Sequence, residues 1–318
     1  MSEYLTIDVG GTNIKYAIMD ENANISEKGE YPTPRIHGLM KLKGEEFKAK
    51  KEEGLNAFIS GLKELYDRYA GRVEAVVMSA PGKIDANNGY FYTSGALEYV
   101  NEVNLKDRLA EFIPVPFAVE NDAKAAALAE LWKGSMQGVT NGMVMTLGTG
   151  IGGAIIINGS LYRGSTFAAG ELSGVSTRLD LEQPYQGGYS WATQNSVGRL
   201  VADYAAKKNL ENCDGRILFT AANEGDQDAI ASIDKFCTGL AVGIMSLQFA
   251  LDVEKVAIGG GISKQPILME RLLKAVHTYY DPAIGIMPAS IPEITSCTFG
   301  NDANMIGALY HYLVELKK

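Results

Sequence analysis

The sequence has 318 residues, 46% of them hydrophobic and 21% charged, which is typical of a globular protein long enough for two domains. Its formal net charge of −9 provides no broad basic face, so neither nucleic acid nor an anionic membrane is an expected partner. No apolar run reaches the roughly 18 residues of a membrane span and no signal peptide precedes the first predicted strand, so a cytoplasmic protein is expected.

The first predicted element is a β-hairpin at the start of the chain. Two apolar runs, residues 4–9 and 14–19, flank a turn that reads DVGGTNIK. Adjacent glycines allow a sharp turn and a close approach to a ligand, and successive N–H groups in such a turn can bind an anion. A plain Gly-Gly hairpin with polar caps is the alternative. The predicted phosphate-binding residues are Asp8, Gly10, Gly11, Thr12 and Lys15.

A buried-type strand over residues 73–79 delivers a Pro-Gly turn at its end. Ligand sites in α/β sheets lie outside the carboxyl ends of strands, so this turn is a predicted wall of a substrate site. The polar loop near residue 94 is a second predicted contact. An ordinary Pro-Gly turn and a turn-capping serine are the alternatives. The residues predicted here are Ala80, Pro81, Gly82 and Ser94.

The next strand, over residues 115–119, ends in Glu120, Asn121 and Asp122, and an alanine-rich helix follows over residues 123–132. Asp122 therefore stands between a strand end and a helix start. A helix N-cap is a common role for aspartate at such a position. A general base for phosphoryl transfer to an alcohol is the functional alternative.

Two further glycine clusters follow. Residues 143–157 read as a strand, a Gly/Thr turn and a strand, which repeats the architecture of the first hairpin. The strand over residues 256–261 runs into three glycines, a place where a flat base can lie on bare backbone, and a polar helix start is expected at Ser263. The predicted ligand-binding residues are Gly148, Thr149, Gly150, Gly152, Gly259, Gly260 and Gly261.

In this order, the three glycine turns resemble the ATPase fold shared by sugar kinases, actin and Hsp70 chaperones, and their finer spelling resembles the ROK family of bacterial sugar kinases and repressors. The resemblance covers nearly the whole chain. It implies an α/β fold of two lobes with ribonuclease H-like repeats and an interlobe cleft. The expected lobes are residues 1–120 plus 301–318, and 121–300. The matching pieces are DVGGTNIK, APG, ENDA, LGTGIGGA, AGE, IGGGIS and NDANMIGA.

The resemblance also implies an activity, the transfer of phosphate from MgATP to a sugar. It makes Asp122 the base that accepts the proton of a primary hydroxyl, the 6-hydroxyl, and it assigns Asn121 and Glu171 to sugar binding. Asp8 is the expected contact of Mg²⁺ through water. The expected partners are a small-molecule sugar and a second copy of the chain in a homodimer.

The sequence departs from most ROK kinases after Glu171. Those relatives carry EIGH and then CxCGxxGCxE, whose His and cysteines hold a structural Zn²⁺. Here Gly174 replaces the His, and residues 183–196 contain no cysteine. Zinc is therefore not expected. Trp191 falls about where the last Glu of that pattern would be.

These replacements bear on the substrate. Without a His and a Glu to bind a free anomeric hydroxyl, a site with Gly174, Tyr189 and Trp191 offers room and apolar surface, which suits a β-glucoside. The alternatives are a core or dimer-interface role for the two aromatic residues, and a glucokinase or an N-acetylhexosamine or N-acetylmannosamine kinase. A sugar sensor without phosphoryl transfer is the non-enzyme alternative. A DNA-binding repressor is not expected, because only seven residues precede Asp8.

Overall fold

The computed structural model describes residues 2–36, 38–176, 190–281 and 290–317. The chain forms two compact units. The first consists of Met1–Trp132, Gly164–Ala168 and Asn301–Lys318, and the second of Lys133–Arg163 and Ala169–Gly300. The lobe boundaries near residues 120 and 300 stay a prediction.

Strands and helices alternate along both units. In chain order, the strands are β1 Glu3–Val9, β2 Asn13–Asp20, β3 Ile25–Pro32, β4 Val73–Ala80, β5 Ile84–Asp85, β6 Tyr90–Phe91, β7 Val103–Asn104, β8 Phe117–Asn121, β9 Gly142–Leu147, β10 Ile151–Ile157, β11 Ser160–Tyr162, β12 Lys255–Gly260 and β13 Glu293–Ser296. The helices are α1 Gly44–Asp67, α2 Leu105–Ala110, α3 Asp122–Lys133, α4 Trp191–Asn195, α5 Val197–Lys208, α6 Gly215–Asn223, α7 Gln227–Leu251, α8 Pro266–Tyr280 and α9 Ala303–Tyr310.

The first unit is built on a five-stranded sheet with the spatial order β3-β2-β1-β4-β8. The hairpins β1–β2 and β2–β3 are antiparallel, whereas β4 and β8 run parallel to β1. Helix α1 buries apolar residues that recur along one face, among them Leu55, Phe58 and Leu62, and α9 packs on β1 and β4. A small sheet of β5, β6 and β7 completes the unit.

The second unit repeats this plan. Its sheet has the order β11-β10-β9-β12-β13, with an antiparallel hairpin β9–β10 and with β12 and β13 parallel to β9. Each sheet therefore begins with a strand-turn-strand unit and adds parallel strands on the other side, which is the repeat that the two glycine hairpins predicted. Helices α4 to α8 cover a core in which Trp191 and Leu240 are fully buried.

Helix α7 has the length and apolar composition of a membrane span, but half of its most apolar window is buried within the protein. Its buried residues belong to the core of the second unit, as in the core helix of a globular protein.

One helix start differs from prediction. Helix α8 begins at Pro266 and not at Ser263, because the Ser263 hydroxyl donates to the Gly260 carbonyl in the preceding turn. Helix α9 begins at Ala303, and Asp302 occupies its N-cap position, but the Asp302 side chain makes no cap hydrogen bond and pairs with Lys28.

Candidate active site

The carboxyl ends of three parallel strands meet at one edge of the first sheet. In the register of β1, β4 and β8, Asp8 lies opposite Ser79, and Ala80 lies opposite Asn121. Neighbouring strands are about 4.8 Å apart, so Asp8 and the end of β8 are separated by about 10 Å across β4. The fold thus brings Asp8, the Pro-Gly turn and Asp122 to the same edge of one sheet.

Asp8 is half-buried and fixed by two donors. Its Oδ1 accepts hydrogen bonds from Ser79 Oγ at 2.7 Å and from Asn304 Nδ2 at 2.9 Å. Among the described residues, no hydrogen bond to its other carboxylate oxygen is found. Lys15 is the cross-strand neighbour of Asp8 in the hairpin. A carboxylate held in this way fits the predicted water-mediated contact with Mg²⁺.

Asn121 caps helix α3. Its Oδ1 accepts the Lys124 backbone N–H at 3.1 Å, and its Nδ2 donates to the Gly82 carbonyl at 2.9 Å. Asp122 is the first helical residue, half-buried, and its Oδ1 accepts the Ala123 N–H at 2.8 Å. The capping role considered for Asp122 therefore belongs to its neighbour.

The turn after β4 requires glycine at residue 82. Gly82 has φ +111°, and a Cβ there would lie 2.1 Å from the Thr93 carbonyl oxygen. Ala80 is buried and Pro81 half-buried. Ser94 is fully buried, with its Oγ 2.5 Å from the Leu97 carbonyl oxygen. Its hydroxyl therefore holds the loop, as in the turn-capping alternative, and its contact with a sugar stays a prediction.

The turn of the first hairpin is tight but is not left-handed at either glycine. The Gly10 N–H donates to the Asn13 carbonyl, and neither Gly10 nor Gly11 has positive φ. One cation at this turn, Arg35, has no signal in the sequence. The guanidinium of Arg35 donates from Nε to the Gly11 carbonyl at 3.1 Å and from Nη2 to Thr12 Oγ1 at 2.8 Å.

The second unit contains a cavity of about 490 Å³ beside the second glycine hairpin. Gly148 and Thr149 form one wall and are exposed. Another wall is the N-terminus of α5, which the Val197 N–H joins to the Gly148 carbonyl at 3.0 Å. The positive end of a helix dipole at this wall favours an anion. The turn closes at Gly150, and Gly152 lies in β10 opposite Thr146.

The three glycines after β12 have different surroundings. Gly259 is buried, and a Cβ there would lie 3.1 Å from Cys297 Sγ. Gly260 has φ +96°, and its Cβ would lie 2.1 Å from the Leu147 carbonyl oxygen. Gly261 faces open space and lines the cavity. Only the last of these three glycines therefore presents bare backbone to a ligand in this cavity.

The residues expected near the anomeric end of the sugar differ in their exposure to solvent. Glu171 and Gly174 are exposed. Trp191 is fully buried in the core of the second unit, where its ring lies over Gly243. This is the core alternative for Trp191, so its indole offers no ligand surface in this structure. Tyr189 lies outside the described residues.

A metal site with several protein ligands is not found in the part of the chain that the structure describes, where no three His, Cys, Asp or Glu side chains cluster. Cys237 and Cys297 are buried and Cys213 is half-buried, and none forms a disulfide. Residues 183–189, where the zinc-binding pattern of relatives would begin, lie outside the described ranges.

Comparison with known proteins identifies the relatives of this chain. The model of the ROK family matches residues 4–314. A glucokinase of Halalkalibacterium halodurans is 30% identical, over 96% of this chain and 93% of the relative. A β-glucoside kinase of Listeria monocytogenes is 34% identical, over 76% of this chain and 80% of the relative.

Two solved structures support the fold. A ROK family protein from Streptococcus pneumoniae in complex with sucrose has a TM-score of 0.82 and 28% identity, covering 99% of each chain. A ROK family glucokinase from Streptomyces griseus in complex with glucose and AMPPNP has a TM-score of 0.76 and 25% identity, covering 97% of this chain and 98% of its own. The predicted actin- and hexokinase-like ATPase fold is thereby confirmed.

Proposed function

The chain belongs to the ROK family and is an ATP-dependent sugar kinase, and we propose that it phosphorylates the 6-hydroxyl of a β-glucoside with Asp122 as the general base. The role of Asp122 is supported by its position, because it lies at the edge of the first sheet where the carboxyl ends of β1, β4 and β8 meet. The capping of α3 by Asn121 supports it further, because Asp122 is not needed as the helix cap.

In the proposed reaction, Asp122 accepts the proton of the sugar hydroxyl as the hydroxyl oxygen bonds to the γ-phosphorus of ATP. The bond between that phosphorus and the β–γ bridging oxygen breaks, and ADP leaves. The transition state is loose, so positioning of the hydroxyl and neutralisation of phosphate charge supply most of the catalysis. When bound, Mg²⁺ would neutralise phosphate charge, and Asp8 is the residue that would hold it through water.

The remaining predicted residues divide between the two substrates. We assign phosphate contacts to the hairpin turn of Gly10, Gly11 and Thr12 with Lys15, and to the turn from Gly148 to Gly152. The nucleoside would lie by Gly261. Asn121, Glu171 and the turn from Ala80 to Gly82 would bind the sugar. The exposed position of Glu171 and the fixed amide of Asn121 are consistent with these roles.

The acceptor we favour is a β-glucoside. The absence of a side chain at Gly174 supports this choice, because a free anomeric hydroxyl would lose a partner there. A relative named β-glucoside kinase and a neighbour that binds sucrose are consistent with an acceptor of two rings. The relative named glucokinase favours the second candidate, a free hexose such as glucose. We also propose a cytoplasmic location and a homodimer.

Measurement of ADP release with MgATP and a panel of glucose, N-acetylmannosamine and cellobiose tests this proposal. We expect a higher kcat/KM for cellobiose than for glucose, and a product phosphorylated at the 6-position by NMR. A clear preference for glucose or N-acetylmannosamine would reject the glucoside. Binding of sugar without ADP release from any of them would favour a sensor. The Asp122→Asn variant, purified in parallel, controls for contaminating kinases.

A further inference from the structure

The burial of Trp191 leaves the proposed glucoside site without its expected aromatic surface, but another one exists in the first unit. The rings of Tyr92 and Phe167 stack, with centroids 6.4 Å apart and an interplanar angle of 26°. Tyr92 is 42% exposed and Phe167 is half-buried. Tyr90 meets the edge of Tyr92 at 5.0 Å, and Lys83 Nζ lies 4.7 Å from the centre of the Tyr92 ring.

Tyr92 is attached to the turn beside the proposed sugar site. Its backbone N–H donates to the Lys83 carbonyl at 2.9 Å, and the Lys83 N–H donates to Thr93 Oγ1 at 3.0 Å. The carbonyl of the preceding residue, Gly82, accepts a hydrogen bond from the side-chain amide of Asn121. Two hydrogen bonds, connected through the peptide bond between Gly82 and Lys83, therefore link the backbone of Tyr92 to Asn121.

Phe167 is attached to the helix that Asp122 begins. The side chain of Lys124, which is only 1% exposed, extends from the first turn of α3 and donates from Nζ to the Phe167 carbonyl at 3.1 Å. Phe167 has φ +62°, which is uncommon for an aromatic residue and requires a surrounding structure that holds it. Its segment, Gly164–Ala168, belongs to the first unit, although the segments on both sides of it belong to the second unit.

These contacts connect a partly exposed aromatic surface to Asn121, to Lys124 and to the turn at Gly82, all in the first unit. Pyranose rings have apolar C–H faces that are buried favourably against aromatic rings, and ligand sites are commonly lined in this way. We propose that Tyr92 and Phe167 form the subsite for the second ring of a β-glucoside, the one that is not phosphorylated. Lys83 would donate hydrogen bonds to hydroxyls of that ring. This inference rests on the proposed kinase function and specifies which residues select the glucoside.

The Tyr92→Ala variant tests the subsite. Because glucose has no second ring, we expect kcat/KM for cellobiose to fall about tenfold more than kcat/KM for glucose, the effect of about 1.4 kcal/mol of lost contact. Tyr92→Phe retains the ring and should keep the wild-type ratio between the two substrates. Phe112→Ala removes another exposed aromatic ring of the same unit, at 40% exposure, and should also keep the ratio.

An unchanged ratio between the two substrates in Tyr92→Ala would overturn the subsite. If both kcat/KM values fall equally, the ring supports only the fold. If the wild-type protein phosphorylates neither glucose nor cellobiose, the proposed β-glucoside kinase activity fails and the subsite is judged by calorimetric titration with cellobiose. Weaker cellobiose binding by Tyr92→Ala than by the wild type then supports the subsite. Equal binding by the two proteins, or no binding by the wild type, overturns it.

Discussion

The side-chain oxygen of Asn121 accepts the backbone N–H of Lys124 at 3.1 Å, so Asn121 caps the helix that begins with Asp122. The capped helix presents its positive dipole end at the carboxyl edge of the first sheet. Asp122 lies in the first turn, where this dipole stabilises a carboxylate. Because capping and catalysis would then depend on adjacent residues, their contributions can be separated by mutation.

Replacement of Asp122 by asparagine should abolish most turnover with little effect on the fold. The amide side chain has a similar size and retains an oxygen that can accept the Ala123 N–H, but it cannot take a proton from the sugar. We expect kcat to fall by about 10²- to 10⁴-fold, the usual contribution of a general base. Titration with AMPPNP should give an unchanged Kd. Near-normal kcat in this variant would refute the assignment of the base.

Replacement of Asn121 by alanine should instead destabilise the protein. The variant loses the cap of α3 and the bond to the Gly82 carbonyl, and loss of a cap alone costs about 0.5–2 kcal/mol. Urea unfolding monitored by circular dichroism measures the difference. Asn121→Asp keeps an oxygen for the Lys124 N–H and should recover part of the stability. If alanine is as stable as the wild type, the capping contact is not formed in solution.

Gly260 and Gly261 form a pair of neighbours with opposite expected responses to alanine. A methyl group at Gly260 would meet the Leu147 carbonyl at 2.1 Å on a left-handed backbone, so Gly260→Ala should lose more than about 2 kcal/mol of stability. A methyl group at Gly261 enters open space at the cavity, so its effect on stability should stay within about 0.5 kcal/mol.

For Gly261→Ala we expect KM for ATP to rise by about tenfold, because the methyl group occupies the surface on which the nucleoside would lie. The KM for the sugar serves as the internal control and should change little. An unchanged KM for ATP would place the nucleoside elsewhere.

Arg35 should contribute to ATP binding through the first hairpin. Its guanidinium holds the Gly11 carbonyl and the Thr12 hydroxyl, and its positive charge lies at a turn predicted to meet phosphates in a protein of net charge −9. We expect Arg35→Ala to raise KM for ATP by about five- to tenfold, in line with one charge-assisted hydrogen bond. Arg35→Lys keeps the charge but loses the fork of two donors, so an intermediate KM is expected. Steady-state kinetics at saturating sugar measure both, and equal KM values in all three proteins would contradict the role.

Much of the site follows from local sequence signals. Glycine pairs between apolar runs predicted both hairpins, and short apolar runs predicted the strands that end near Asp8 and Asp122. The parallel pairing that brings these strand ends to one edge is seen only in the structure. Both signals lie within a few residues of chain. The hydrogen bond from Asn304 to Asp8 joins residues 296 positions apart, and Arg35 reaches its turn only because β3 folds back on β2. Such contacts depend on tertiary packing and have no local pattern.

Trp191 shows that burial is equally difficult to predict from sequence. In the sequence, an aromatic residue that lines a ligand site cannot be distinguished from one that fills a core. Its burial depends on Gly243 in α7, where any side chain would overlap the indole, with a Cβ only 2.2 Å from the ring. Likewise, nothing in the sequence indicates that Tyr92 and Phe167 pair, because the two residues lie far apart in the chain.

The amino end of β1, opposite the proposed active site, should lose stability in acid through Arg72. Its guanidinium donates to Glu3 at 2.6 and 2.9 Å and also contacts Glu27, and these bonds lower the pKa of both carboxyl groups. A lowered pKa in the folded state contributes stability above the ordinary glutamate value of 4.5, and this contribution disappears as pH falls through the lowered value. Arg72→Ala should therefore be less stable than the wild type at pH 7, and the difference should narrow as the pH falls below 4.5. Thermal unfolding across this range tests it, with Arg68→Ala as a control because Arg68 contacts the Tyr16 hydroxyl. A difference that stays constant down to pH 3 would mean that the two carboxylates do not carry the effect.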